Sequence, residues 1–339
     1  MKVFTAIISV FIGCCSNVVF LELLVKEDPG SGNLITFSQF LFIAIEGFIF
    51  TMKFGTKKPK GGIWDYALLV VMFFVVNVCN NYAFDFNIPM PLHMIFRAGS
   101  LIANMIMGII ILKKVYSFSK YLSVGMITVG IVICTIISSQ EVKRTGPPRD
   151  DLPVNEAEDF FWWVVGISLL TVALFLSARM GIYQEVLYKR HGKHPYEALF
   201  FTHTLPLPAF ALLYSNIAEH FMMALNSPPL VFPLINFAAP QSIVYLIADV
   251  LSQFMCISSV YVLTTECTSL TVTLVITLRK FVSLLFSLVY FKNPFTIYHW
   301  IGTILVFSGT LIFTEVPQKI KSSLVQKEDE KSEKSKKVK

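Results

Sequence analysis

The chain has 339 residues, of which 55% are hydrophobic and only 15% are charged, and its formal net charge is +6. A soluble domain usually carries about 25% charged residues, so this composition excludes an ordinary water-soluble protein, and we expect no nucleic-acid partner. The charges are clustered between long apolar stretches, which is typical of helices in a lipid bilayer joined by short charged loops.

Ten apolar runs are long enough to cross a bilayer, which requires about 20 mostly apolar residues per helix. They cover residues 3–25, 33–52, 64–84, 91–112, 118–138, 160–184, 198–216, 240–262, 269–291 and 296–314. The first run is longer than the roughly 7–15 apolar residues of a signal peptide, so we predict a membrane helix that is retained. The sequence therefore predicts an all-α membrane protein with ten transmembrane helices.

The positive charges predict how these helices are oriented. When the N-terminus is placed in the cytosol, most of the 28 lysine and arginine residues fall in cytosolic loops and in the C-terminal tail. This distribution is the one that the positive-inside rule requires. Both termini are therefore predicted to be cytosolic, which agrees with an even number of spans.

An acidic lumenal loop at 139–159 is predicted to divide the chain into two five-helix repeats, 1–138 and 160–316. Because each half has an odd number of helices, the second half enters the membrane from the opposite side. This is the inverted repeat found in many secondary transporters. We expect residues 317–339 to form a disordered, basic, cytosolic tail.

The cysteines and the common catalytic motifs point to no metal or cofactor. None of the six cysteines lies in a loop predicted to be lumenal, so we expect no structural disulfide. The sequence contains no CxxC pair, no HExxH and no Walker A loop. We therefore predict no metal site and no cofactor, and nothing indicates transport driven by ATP.

Lys280 is predicted to lie near the middle of the ninth span, about 16 Å along the helix from its start. It belongs to a polar stripe formed by Thr273, Thr277, Lys280, Ser283 and Ser287. An ionisable side chain in a bilayer needs a partner or a watery cavity, so Lys280 and Thr277 are candidates for binding an anionic phosphate. A structural ion pair of Lys280 with Asp249 or Glu46 is the alternative.

Two arginines are further candidates for substrate binding. Arg279 faces largely apolar neighbours and would either hold a second phosphate or pair with a carboxylate. Arg97 begins a polar stripe that includes Asn104 in the fourth span, and its planar guanidinium matches phosphate oxygens. The alternative for Arg97 is that its side chain extends to the lumenal interface.

Polar and aromatic side chains in other spans are candidates for contacts with a base or a sugar. They are Asn81 and Tyr82 in the third span, Tyr183 in the sixth, His203 in the seventh and Tyr245 in the eighth. The alternative for each of them is packing or hydrogen bonding between helices, which small polar residues often provide in membranes.

Several segments resemble the nucleotide-sugar transporter family. They are P-L-H-M-I-F-R at 91–97, T-T-E-C-T-S at 264–269, T-L-R-K-F-V-S at 277–283 and G-C-C-S-N-V at 13–18. The similarity extends over about 5–316 and is greatest to the branch that carries UDP-xylose and UDP-N-acetylglucosamine. It implies the ten-helix fold of drug/metabolite transporters, exchange of a cytosolic nucleotide sugar for a lumenal nucleoside monophosphate, and phosphate binding by Arg279 and Lys280.

The last residues of the chain resemble a retrieval signal for the endoplasmic reticulum. Lys336 and Lys337 occupy the fourth and third positions from the C-terminus, as in a dilysine retrieval signal that coat proteins recognise. The alternative is a basic tail that lies beside anionic lipid.

The sequence thus predicts a transporter rather than an enzyme. It would carry UDP-sugars from the cytosol into the lumen of the Golgi or the endoplasmic reticulum in exchange for UMP. A membrane-embedded enzyme acting on a lipid or sugar phosphate is the alternative from another class, and a scaffold or receptor without transport activity is a third. The sequence leaves open which UDP-sugar is preferred and whether the chain forms a homodimer.

Overall fold

The computed structural model describes residues 2–57, 63–86, 88–142, 156–191, 194–232, 237–266, 269–293 and 295–315. These residues form twelve α-helices and one two-stranded β-hairpin. The helices are α1 Lys2–Glu27, α2 Gly32–Glu46, α3 Ile63–Asp85, α4 Met90–Phe96, α5 Ser100–Leu112, α6 Phe118–Val142, α7 Glu156–His191, α8 Pro195–Thr204, α9 Tyr214–Leu225, α10 Gln241–Glu266, α11 Ser269–Phe291 and α12 Ile297–Phe313.

The hairpin lies between α9 and α10, and no pattern in the sequence predicts it. Its strands are β1 Pro229–Phe232 and β2 Phe237–Pro240. They are antiparallel, with Pro229 opposite Pro240 and Phe232 opposite Phe237. The two paired strands thus form part of the connection between α9 and α10.

Eight helical segments of the described residues are long and apolar enough to cross a membrane. They are Val3–Glu27, Pro29–Thr51, Tyr66–Asp85, Met90–Leu112, Phe118–Ser139, Glu158–Tyr183, Tyr196–Leu225 and Gln241–Val260. The last two predicted runs form α11, with 23 residues, and the shorter α12, with 17 residues. The predicted membrane class is therefore confirmed, whereas the count of ten crossings stays a prediction.

Three of these segments are not uniform α-helices. A π-helical turn, Gly47–Thr51, follows α2 and ends the segment Pro29–Thr51. A 3₁₀ turn, Arg97–Gly99, joins α4 to α5, and a longer one, Leu207–Leu213, lies between α8 and α9. Pro206 and Pro208 account for the last break, because proline has no N–H group to donate to an α-helical hydrogen bond. The segment is consequently longer than the predicted run 198–216.

The helices pack in a small number of pairs. α1 lies along α10, α6 along α12 and α3 along α7, while α2 contacts α8 and α4 contacts α11. A cluster of apolar side chains fills the space between α4, α6, α7, α11 and α12. Its fully buried members include Leu92, Ile127, Leu170, Leu284 and Val306. This cluster fixes α4, which ends just before Arg97, and α11, which carries Arg279 and Lys280.

A disulfide joins Cys14 of α1 to Cys256 of α10, so the expectation that the chain has no structural disulfide is wrong. The expectation considered only lumenal loops. Here both cysteines lie within membrane segments, where α1 packs against α10. A side chain on the adjacent Gly13 would lie 2.9 Å from the backbone nitrogen of Cys256, so the small residue permits the approach that the disulfide needs.

Candidate functional site

Three cations meet between α4 and α11. Arg97 lies within electrostatic range of both Arg279 and Lys280, and the latter two also interact with each other. The sequence placed these residues in different spans and gave no distance between them. The fold brings them together because α4 and α11 contact each other directly.

The cation cluster formed by Arg97, Arg279 and Lys280 faces an open space. Arg97 and Lys280 are both exposed, although each lies inside an apolar helical segment. Arg279 is half-buried, and its Nε atom is buried without a hydrogen-bond partner in the described residues. Because Arg97 and Lys280 are exposed and interact with each other, we take the space between their helices as the candidate cavity between α4 and α11.

The local structure of the fourth segment explains the position of Arg97. Met90–Phe96 is α-helical and has Pro91 in its first turn, where the fixed φ angle of proline suits a helix. The chain then tightens into the 3₁₀ turn Arg97–Gly99 before α5 begins at Ser100. Arg97 therefore lies at the joint of an interrupted helix, and interrupted helices are a common way of building a site near the middle of a membrane.

The two carboxylates considered as structural partners of Lys280 do not pair with it in the described residues. Asp249 accepts hydrogen bonds from Asn17 Nδ2 (2.8 Å) and Gln39 Nε2 (2.7 Å) instead. Glu46 makes no ion pair with it either, and the alternative of a structural pair with Asp249 or Glu46 is not realised in the described part of the chain. The cation cluster thus retains positive charge that an anion can neutralise.

The polar stripe of α11 does not face the cavity along its whole length. Ser283 Oγ donates to Cys15 Sγ (3.3 Å), and Ser287 Oγ donates to a carboxylate oxygen of Glu22 (2.6 Å). Both partners belong to α1, so this end of the stripe is covered by α1. Thr277 is buried as well, and Lys280 is the only exposed residue among the members of the stripe whose side chains the structure describes.

Asn104 remains a candidate for the cavity. It is exposed on α5, two helical turns beyond Arg97, so the two side chains share one face of the segment. An amide at this position can both donate and accept hydrogen bonds, which suits a nucleobase or a sugar hydroxyl.

Other predicted site residues lie in contacts between helices. Asn81 Nδ2 donates to Thr36 Oγ1 (2.8 Å) and to Asn33 Oδ1 (3.2 Å), which links α3 to α2. Asn33 in turn donates to Asn216 Oδ1 (3.0 Å). A polar ladder formed by Asn81, Asn33 and Asn216 therefore joins the second, third and seventh segments. These contacts agree with the packing alternative for Asn81.

The predicted aromatic candidates are also placed in packing contacts. The His203 ring lies 4.7 Å from that of Phe40 and 5.3 Å from that of Phe73, and its Nδ1 atom lies 2.8 Å from Leu199 O. Tyr245 lies 6.3 Å from Phe20, ring centre to ring centre, at the contact of α10 with α1.

Tyr183 packs against the apolar cluster that includes Tyr66 and Phe201, and Tyr82 is half-buried on α3. The structure does not bring these aromatic residues to the cation cluster through any contact described.

Cys15 is a residue near the cations that the sequence analysis did not select. Its sulfur accepts the hydrogen bond from Ser283, and it interacts electrostatically with Arg279. The segment 13–18 was noted for its resemblance to a family, which was the one signal that could have pointed to Cys15.

The described residues contain no group of three or more His, Cys, Asp or Glu side chains that could hold a metal ion. Lys336 and Lys337 of the predicted retrieval signal lie outside the described residues.

Comparisons with known proteins find similar sequences over most of the chain. The model of the UAA transporter family matches residues 2–317. The chain is 59% identical, over 95% of its length and 93% of the relative's, to an "Endoplasmic reticulum GDP-fucose transporter" of Drosophila melanogaster. It is 57% identical, over 93% and 95%, to a "UDP-xylose and UDP-N-acetylglucosamine transporter" of Danio rerio. It is 56% identical, over 91% and 92%, to "Nucleotide sugar transporter SLC35B4" of Homo sapiens.

Proposed function

The chain belongs to the UAA transporter family of nucleotide-sugar transporters, and we propose that it exchanges a cytosolic UDP-sugar for lumenal UMP. The observation that carries the proposal is the cation cluster of Arg97, Arg279 and Lys280, which faces a cavity and has no carboxylate partner in the described residues. The diphosphate of a nucleotide sugar is a ligand of matching charge. Arg97 and Arg279 would contact phosphate oxygens through their planar guanidinium groups, and Lys280 would act as a point charge.

The proposed architecture is ten spans in two inverted five-helix repeats, 1–138 and 160–316, with both termini in the cytosol. The pairing of the helices supports it. In such a repeat the first segment corresponds to the sixth, the second to the seventh, and so on, so that α1 corresponds to α7 and α3 to α10. The α1–α10 contact then corresponds to the α7–α3 contact. The same correspondence leaves the contacts α2–α8, α4–α11 and α6–α12 unchanged. Every helix pair named above therefore has a symmetry-related equivalent.

Transport would occur by alternating access, in which the two repeats rock around the cavity between α4 and α11. An empty site holds uncompensated positive charge in the membrane, and moving that charge through the closed state is unfavourable. A bound nucleotide removes the cost. The carrier would therefore change orientation mainly when loaded, and exchange of one nucleotide for another follows from this preference.

The names of the relatives disagree on the base and the sugar. One is named for GDP-fucose, and another for UDP-xylose and UDP-N-acetylglucosamine. We propose UDP-N-acetylglucosamine and UDP-xylose as substrates, with GDP-fucose as the specific alternative. The membrane of the Golgi or the endoplasmic reticulum is the proposed location, and the retrieval role of Lys336 and Lys337 belongs to this proposal.

The test uses the full-length protein reconstituted into liposomes. Uptake of labelled UDP-N-acetylglucosamine is measured with and without UMP inside, and unlabelled UDP-xylose and GDP-fucose are added as competitors. We expect uptake to depend on internal UMP and to be inhibited by UDP-xylose. Equal uptake into empty liposomes would refute exchange, and uptake of GDP-fucose without uptake of UDP-sugars would replace the proposed substrate.

The role of the cation cluster is tested with Lys280→Gln. A hydrogen bond to a charged group contributes roughly 1.5–3 kcal/mol, so we expect uptake to fall by about tenfold to hundredfold. Lys57→Gln is the matched control, since Lys57 is an exposed cation near the end of the second segment, and it should transport normally. Unchanged uptake by Lys280→Gln would remove Lys280 from the site.

A further inference from the structure

Asp249 is a carboxylate in the interior of the helical bundle. Its exposed fraction is 0%, and it lies about 12 Å along α10 from Gln241, near the middle of a core of about 30 Å. An isolated charge at this depth is unfavourable in free energy. Carboxylates inside membrane segments commonly belong to ion or proton pathways.

Two amide side chains hold this carboxyl group. Asn17 of α1 donates to Oδ1 (2.8 Å) and to the backbone carbonyl of Asp249 (3.2 Å), while Gln39 of α2 donates to Oδ2 (2.7 Å). Each carboxyl oxygen thus receives one hydrogen bond from a neutral group. Asp249 belongs to the second proposed repeat and both donors belong to the first, so the contact lies at the boundary between the moving halves.

No described charged residue forms an ion pair with Asp249. The titratable groups with described side chains on the helices that pack against α10 are Cys15, Glu22, Lys26 and Glu27 of α1, Glu46 of α2, Tyr214, Glu219 and His220 of α9, and Arg279, Lys280 and Tyr290 of α11. Most of those whose side chains are described have other partners. Glu22 binds Ser287 and Asn293, His220 binds Asp28, and Glu27 binds Ser242.

Amide partners suit a carboxyl group that gains and loses a proton. An arginine or lysine can only donate, so it would favour the charged carboxylate alone. Asn17 and Gln39 each carry an N–H donor and a carbonyl acceptor. They donate to the carboxylate as observed, and after reorientation of one amide they accept the O–H bond of the protonated acid. A buried carboxylate without a cation partner is unfavourable, so burial of Asp249 favours the binding of a proton.

We propose that Asp249 is a proton-binding site, and that the exchange of its proton accompanies the movement of the two repeats. The link to transport rests on the proposed function, and it makes nucleotide-sugar exchange depend on pH through one carboxyl group. The proton reaches Asp249 from the aqueous side to which the cavity is open, when Gln39 of α2 separates from it, since the disulfide between Cys14 and Cys256 keeps Asn17 of α1 beside α10. Protonated Asp249 is uncharged. The contact between Asp249, Asn17 and Gln39 can then close without burying a charge, so protonation favours the closed contact.

The first test reads protonation without any transport. A hydrophobic carbodiimide reacts with protonated carboxyl groups in membranes, and peptide mass spectrometry locates the product. In the wild-type protein we expect labelling of Asp249 at acidic pH that falls several-fold as the pH is raised. Labelling of Asp249 that does not change with pH, or its absence at every pH, would overturn the proposal. This result is independent of whether the protein transports UDP-sugars.

The second test compares the pH profile of exchange in liposomes. Asp249→Asn keeps the shape and the hydrogen-bonding ability of the protonated acid, so we expect exchange to persist with a flattened pH profile. Glu46→Gln is the control, because Glu46 is a second carboxyl group in a membrane segment, half-buried rather than fully buried, and it should retain the wild-type profile. A wild-type profile in Asp249→Asn would overturn the coupling, whereas absence of exchange in the wild-type protein would refute the proposed function instead.

Discussion

A methyl group placed on Gly130 of α6 would lie 2.5 Å from the carbonyl oxygen of Gly302 in α12. The reverse contact is equally close, since a methyl group on Gly302 would lie 2.7 Å from the carbonyl oxygen of Gly130. The two helices therefore touch through their backbones, which glycine permits because it has no side chain. In the proposed repeat these helices would be equivalent, and the contact would lie on the proposed symmetry axis between the two halves.

Gly130→Ala should destabilise the protein, because backbone atoms on both sides must move to admit the methyl group. Overpacking of this kind costs about 1–3 kcal/mol. The control is Gly125→Ala on the same helix, where the added methyl group would have no atom within 4 Å. Thermal unfolding in detergent should show a lower melting temperature for Gly130→Ala only. Equal melting temperatures would mean that α6 and α12 pack less closely than described.

The disulfide between Cys14 and Cys256 closes a sequence separation of 242 residues. We expect a peptide that contains both cysteines after proteolysis without reductant, and its loss in Cys14→Ser and in Cys256→Ser. Each variant should also lose stability, by about 2–4 kcal/mol for a disulfide of ordinary strength. Cys79→Ser is the control, since Cys79 is a free cysteine. Recovery of the two cysteines only as separate peptides would contradict the disulfide.

Asn81→Ala should reduce stability and leave the KM for nucleotide sugar unchanged, because Asn81 is bonded to Asn33 and Thr36. Removing a hydrogen bond between helices in a membrane costs about 0.6 kcal/mol on average, and up to about 1.7 kcal/mol. Asn80→Ala is the matched control, since Asn80 donates to the carbonyl of Val76 in its own helix. A rise in KM without a loss of stability would restore Asn81 to the substrate site.

Arg97→Gln should raise the KM for nucleotide sugar by about tenfold or more, because a charged hydrogen-bond donor to phosphate is lost. Arg97→Lys should recover part of this loss, since it keeps the charge but not the planar fork. The measurement is concentration-dependent uptake into liposomes loaded with UMP. If the neutral and the charged variants behave alike, the charge of Arg97 has no role in binding.

The membrane class and the positions of the helices could be predicted because apolar composition alone determines where a chain can cross lipid. Each of the ten predicted runs overlaps a helical segment of the described residues. The 3₁₀ turn at Arg97–Gly99 could not be predicted, because no proline or run of polar residues marks it. The same holds for the β-hairpin, which is too short to show an alternating pattern.

The candidate site was predicted in part. Arg97, Arg279 and Lys280 were selected because a cation in a membrane segment is rare and costly, and the structure brings them together. The neutral candidates could not be sorted in this way. An asparagine or a histidine serves equally well in a cavity or between helices, and only the three-dimensional contacts of Asn81 and His203 separate the two roles.

The interruption of the fourth segment at Arg97 has a consequence for how cargo would move. A break in a helix can act as a hinge, and the atoms closest to a hinge move least when the helical segments on either side rotate. A phosphate held by the guanidinium at that point would stay at nearly constant depth while the two mouths of the carrier open and close in turn. The solute would then cross the membrane chiefly because the protein moves past it.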